Sequence, residues 1–134
     1  MGQQQLLLIV LGVIIVGIAV WVGVSLFNAN AISSNRDGIA TDLNNLGAMA
    51  RQFANKPQSM AGGATATGPS FTGFTIANTG LSSTANGTYT ATVTSTLITF
   101  VGTSATQPKG TDGTNPVKLT DYCSLTKDSV VINN

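Results

Sequence analysis

Apolar residues are concentrated at the start of the chain. From Leu6 to Phe27 the sequence reads LLLIVLGVIIVGIAVWVGVSLF, 22 residues without a charge and with Ser25 as the only polar side chain. About 20 apolar residues cross a hydrocarbon core as a helix, so the run predicts a membrane-spanning helix. A secretory signal would have a shorter apolar core preceded by basic residues. No Lys or Arg precedes this run. Such residues normally set orientation, and their absence points to a basic leader already removed. No proline occurs from Asn28 to Lys56, and Ile39, Leu43, Leu46, Ala50 and Phe53 recur at intervals of 4, 3, 4 and 3, with Ile32 about two turns earlier. That spacing draws one narrow stripe along a helix. Arg51 and Lys56 lie where cations complement a helix C-terminus, and Pro57 stops the helix. A helix from about Gln4 to Lys56 would be roughly 80 Å long.

The pattern changes after Pro57. Gln58 to Pro69 is rich in Gly, Ala, Ser and Thr and reads as a loop. Ser70–Ala77, with Phe71, Phe74 and Ile76, begins a region of short β-branched and aromatic runs. In Thr88–Val101 the threonines at 88, 90, 92, 94 and 96 alternate with Tyr89, Ala91, Val93, Ser95 and Leu97. A period of two means a polar face and a packed face. The phase breaks between Leu97 and Ile98, so a bulge or turn belongs there. Val117–Leu119 and Ser129–Ile132 are weaker strand candidates, and Ala85–Gly87 and Lys109–Asn115 carry turn chemistry. The expected fold class is α+β. Residues 1–56 form a long N-terminal helix, with 1–27 the membrane or filament-core segment and 28–56 an amphipathic half. Residues 57–134 form a Thr/Gly-rich antiparallel sheet of three to five strands packed on that half.

Composition narrows the function. The chain has 134 residues and only 8% charged residues, against about 25% in average proteins. Aspartate is its only acidic type and it has no histidine. Imidazole-based triads and Cys/His zinc sites within one subunit are thereby excluded, and one Cys without His excludes haem attachment. A net charge of +1 is too small for sequence-independent nucleic-acid binding. No cofactor or metal is expected, and no catalytic residue. Asp37 and Asp42 are five apart and read as solvated side chains; Asp112, Asp121 and Asp128 are placed near turns. KGTDGTN at 109–115 lacks the ligand count of an EF-hand. Cys123 has no intrachain partner and reads as a small buried hydrophobe. Asn86-Gly87-Thr88 is a glycosylation sequon by pattern, but it reads first as a plain Asn-Gly turn ahead of a strand.

Gly12, Gly17, Ala19 and Gly23 would let neighbouring helices approach closely, Ala19 and Gly23 forming a small-xxx-small pair. A long helix that is first apolar and then amphipathic, followed by a Thr/Gly-rich β domain, resembles the type IV pilin-like proteins. The resemblance rests on residues 1–56. In most bacterial members the fifth mature residue is Glu. Here that position is Gln5 if Met1 begins the mature chain, the start adopted here, and Leu7 if cleavage follows Gly2. The chain is therefore divergent on this point, and it also lacks the C-terminal disulfide loop of many pilins. What the resemblance implies is a leader peptidase, methylation at Met1, and a precursor held in membrane lipid. Inner-membrane assembly machinery would then build a helical homopolymer, an extracellular filament serving adhesion or surface attachment. The filament core would be packed by Gln5, Leu6, Leu7, Leu8, Ile9, Leu11, Gly12, Ile14, Ile15, Gly17, Ile18, Ala19, Trp21, Gly23 and Phe27. Ile32, Ile39, Leu43, Leu46, Ala50 and Phe53 would pack on the sheet. A pseudopilin or minor pilin of a secretion or DNA-uptake system shares this layout. A single-span membrane protein with an extracytoplasmic β binding module is the third reading.

Overall fold

The structure is a computed structural model that describes residues 2–105 and 115–132. The expected turn and calcium-like stretch at Lys109–Asn115, with Asp112, lies almost wholly outside the described residues, as does Met1.

The first element is one uninterrupted helix, α1 (Gly2–Asn55). It contains no proline, and the three glycines of its apolar run, Gly12, Gly17 and Gly23, are outnumbered by Leu, Ile and Val. It ends one residue before the expected Lys56. Proline at 57 cannot extend it, and its last carbonyls are taken by the chain that follows: Gly63 N–H donates to the Phe53 carbonyl at 2.9 Å and Ala64 N–H to the Lys56 carbonyl at 3.0 Å. Gly63 is required there, because a Cβ would collide with the Ser70 carbonyl.

The chain divides into two compact units, residues 1–31 and 32–134. The boundary falls four residues later than the expected end of the apolar segment. The first unit is helix alone, and every described residue of it up to Asn30 is exposed. The second unit holds the rest of α1 and a four-stranded antiparallel sheet in the order β1-β2-β3-β4. Its strands are β1 (Gly87–Val93), β2 (Leu97–Ser104), β3 (Lys118–Ser124) and β4 (Asp128–Ile132). Two short 3-10 turns, Gln58–Met60 and Ile76–Thr79, lie in the connection from the helix.

The sheet is the antiparallel α+β arrangement the alternation implied. Thr88, Thr90 and Thr92 are exposed while Tyr89 is buried and Ala91 and Val93 are half-buried. Register pairs Tyr89 with Gly102 and Ala91 with Phe100, and Phe100 with Asp121. The phase break is a turn, placed slightly earlier than expected. Ser95 and Thr96 are its central residues, closed by Thr94 N–H to the Leu97 carbonyl at 2.9 Å. The Thr94 hydroxyl donates to the same carbonyl at 2.7 Å. Ser70–Ala77 is not a strand. Its residues form loop and the start of a 3-10 turn, yet Phe71 and Phe74 are buried. Three glycines and a proline between 62 and 69 deny this region a regular ladder, so its aromatic rings pack from a loop.

The core lies between residues 32–54 of α1 and one face of the sheet. Ile39, Leu43, Leu46, Ala50 and Ala54 meet Phe71, Phe74, Tyr89, Ile98, Phe100, Val117, Leu119 and Cys123. Three rings join helix, loop and sheet: Phe53 and Phe74 are edge-to-face at 5.6 Å, and Phe74 and Phe100 at 5.9 Å. The approach is close at Gly102, where a Cβ would stand 2.6 Å from Ile39 Cγ2 and 2.9 Å from the Tyr89 ring.

Candidate functional site

Two surfaces stand out among the described residues. The first is the apolar run of α1. From Leu6 to Phe27, 17 large hydrophobic side chains are exposed, Trp21 and Phe27 the most, at 75% and 74%. The expected packing residues Gln5, Leu6, Leu7, Leu8, Ile9, Leu11, Ile14, Ile15, Ile18, Ala19, Trp21 and Phe27 are all exposed. A Cβ built on Gly12, Gly17 or Gly23 meets nothing within 4 Å. At about 100° per residue, Gly12, Ala19 and Gly23 share one face of the helix, and Trp21 lies roughly opposite. Gly17 lies off that face. The helix is long and apolar enough to cross a membrane.

The second surface is where α1 meets the start of the sheet. Ile39, Leu43, Leu46 and Ala50 are fully buried, as the stripe implied, and Ile32 and Phe53 are half-buried against them. Ala54 and Gly47 join this face. The narrow stripe missed them because small residues carry little periodic signal.

Asp42 corrects an expectation. It is not merely solvated. Its Oδ2 accepts from Tyr89 Oη at 2.7 Å, Thr84 Oγ1 at 2.8 Å and Asn86 Nδ2 at 2.9 Å. Burial pushes the Asp42 carboxyl up, but the three donors, Tyr89 foremost, outweigh it and hold the group below its ordinary 3.8. The Tyr89 hydroxyl is raised above its ordinary range by burial and then by donation to that carboxylate. Asp42 sits one position before Leu43 on the helix, so the edge of the apolar stripe carries a carboxylate against polar groups from the sheet side. Asp37 is exposed.

The Asn86 amide donates to Asp42 and is packed over Gly38, where a Cβ would lie 2.8 Å from Asn86 Cγ. A sugar on Nδ2 would compete with that packing. Asp121 is also corrected. It sits within β3 and is buried, not near a turn. Cys123 is buried, as expected, with Sγ donating to the Gly47 carbonyl at 3.6 Å.

A groove of about 280 Å3 opens beside the helix end, floored by Met49, Phe53 and Phe74 with Lys56 as the one charged residue in its lining. It holds no acid–base pair. No three His, Cys, Asp or Glu side chains gather anywhere among the described residues.

No protein family, curated protein or solved structure matches this chain.

Proposed function

We propose that the chain is the structural subunit, the major pilin, of a type IV pilus-like filament. It polymerises through the exposed apolar part of α1 and serves adhesion or surface attachment outside the cell. The observation that carries this reading is the continuity of α1. A single-span anchor needs about 20 residues, whereas this helix has 54 and its second part is the core helix of a β domain. Its partners are other copies of itself, with membrane lipid before assembly and the leader peptidase and inner-membrane machinery during it. No enzyme activity is assigned.

The energetics fit a one-way polymer. Removing a large apolar side chain from water is worth about 1.5–3 kcal/mol, so 17 of them resist release into water by tens of kcal/mol. Lipid is as apolar as the filament core, so little hydrophobic drive separates membrane from filament. Packing and machinery must decide that step, and the small residues Gly12, Ala19 and Gly23 are where packing is set.

Gly12→Leu and Gly23→Leu test the reading. Space is open at both positions within the chain, so neither variant disturbs the subunit. Both should insert in the membrane at normal levels and fail to form surface fibres in electron micrographs of sheared material. Normal fibre yield from both variants refutes the packing argument. Retention of the unaltered chain in the membrane, with no fibres, favours the single-span binding module.

A further inference from the structure

β1 is an outer strand of the sheet. Part of its free side is nevertheless occupied. Tyr89 N–H donates to the Ser82 carbonyl at 2.9 Å and Thr84 N–H to the Gly87 carbonyl at 2.8 Å, and Ser83 bridges to Thr88. Residues 82–84 are thus a three-residue rudiment of a fifth strand, joined to β1 through Ala85 and Asn86. Two backbone hydrogen bonds do not offset the entropy of ordering such a short segment by themselves.

Asp42 supplies the missing restraint. The three donors gathered on its Oδ2 come from the short strand (Thr84), the turn (Asn86) and β1 (Tyr89). Asn35 adds a tie from the helix, donating from Nδ2 to the Asn86 carbonyl at 3.1 Å. The turn is tightened within itself by Asn86 N–H to Thr84 Oγ1 at 3.2 Å. Gly38 gives Asn86 room to lie against the helix. Every one of these groups is committed to holding 82–86 in place.

We propose that residues 82–86 are a strap that covers the first part of the β1 edge, Gly87–Tyr89, and so hinders strand addition by a second copy of the chain, with Asp42 as its latch. An open edge presents unpaired N–H and C=O groups and templates pairing with another chain. The threonine-rich β1, uncharged from Gly87 to Val93, has no charge or proline to repel a like strand. A very short, latched outer strand ends the ladder instead. The inference stands apart from the filament reading, since it concerns only residues of the second unit.

The test uses the full chain in detergent micelles. Amide hydrogen exchange is read at Thr84 and Tyr89, with the β2–β3 amides as internal reference. Asp42→Ala should speed exchange at Thr84 and Tyr89 at least tenfold and change the reference less than twofold. A Thr90→Cys reporter on exposed mid-β1 then reads edge pairing, since a disulfide forms only when Cα atoms come within about 7 Å. Dimer yield from this reporter should rise severalfold when Asp42→Ala is added. If Asp42→Ala unfolds the domain, seen as equal acceleration at the reference amides, Thr84→Val removes one bond to Asp42 and the Asn86 N–H bond within the turn, and both readouts are repeated with it. The proposal is overturned if the variant that remains folded leaves Thr84 and Tyr89 exchange unchanged, or if the strap opens and the dimer yield does not rise.

Discussion

Replacing Phe74 with alanine separates the two roles of apolar residues in this chain. Phe74 is 7% exposed and lies edge-on to both Phe53 and Phe100, at 5.6 and 5.9 Å. Its truncation removes a buried ring and leaves a void between α1, the loop and β2. Such Phe→Ala changes cost about 3–5 kcal/mol, of which two aromatic pairs account for about 0.5–1.5 kcal/mol each. A domain of this size is stable by only about 5–15 kcal/mol. At roughly 4–8 °C per kcal/mol for a small domain, the melting temperature should fall by about 15 °C or more. Phe74→Leu keeps most of the apolar volume and loses the ring pairs, so its loss should be about half as large. Phe27→Ala removes an equally large ring from a site that is 74% exposed. It should leave the melt of the β domain unchanged and lower fibre yield. The assay is thermal unfolding of detergent-solubilised full chain, followed by β-sheet circular dichroism, beside fibre counts from cells. A Phe74→Ala melt within about 5 °C of the unaltered protein refutes the reasoning. So does a Phe27→Ala melt as low as that of Phe74→Ala.

Three further outcomes follow from single contacts. Gly102→Ala places a Cβ against Ile39 and Tyr89 and should cost about 1–3 kcal/mol by overpacking, read as a lower urea midpoint. The Asp42 carboxyl is held below 3.8 in the folded protein, so the unfolded chain takes up the proton first as pH falls. The stability contributed by the ionised group is therefore complete above the ordinary value and is lost as pH drops through the lowered one; Asp42→Asn should flatten that part of a melting-temperature profile taken from about pH 5 to pH 2. With only 8% charged residues, filament contacts should be nearly indifferent to ionic strength. Fibres that dissolve in about 1 M salt would argue against a core held by apolar burial.

The helix and the sheet were legible in the sequence for different reasons. The helix showed through the absence of proline and through the 4-3-4-3 stripe ending at Phe53, which a β-strand cannot produce. β1 showed through strict threonine alternation. The loop around Phe71 and Phe74 was not legible, because buried aromatics look the same in a strand and in a loop that turns inward. The helical stripe also concealed Asp42, since a polar residue beside an apolar stripe looks solvated until the opposing donors are known. Those donors, Thr84, Asn86 and Tyr89, lie more than 40 residues away in the chain, and no local signal connects them to the helix. Asp121 was obscured in the same way, because one charge within a short β3 resembles the polar residue of a turn.

The proposed filament meets its most direct test in the N-terminal peptide of material sheared from the cell surface, weighed by mass spectrometry. A peptide beginning at Met1 or Gln3, heavier by one methyl group and recovered with the sheared fibres, is the expected result. A chain confined to the membrane fraction, with an unmethylated start or an uncut basic leader, would contradict it.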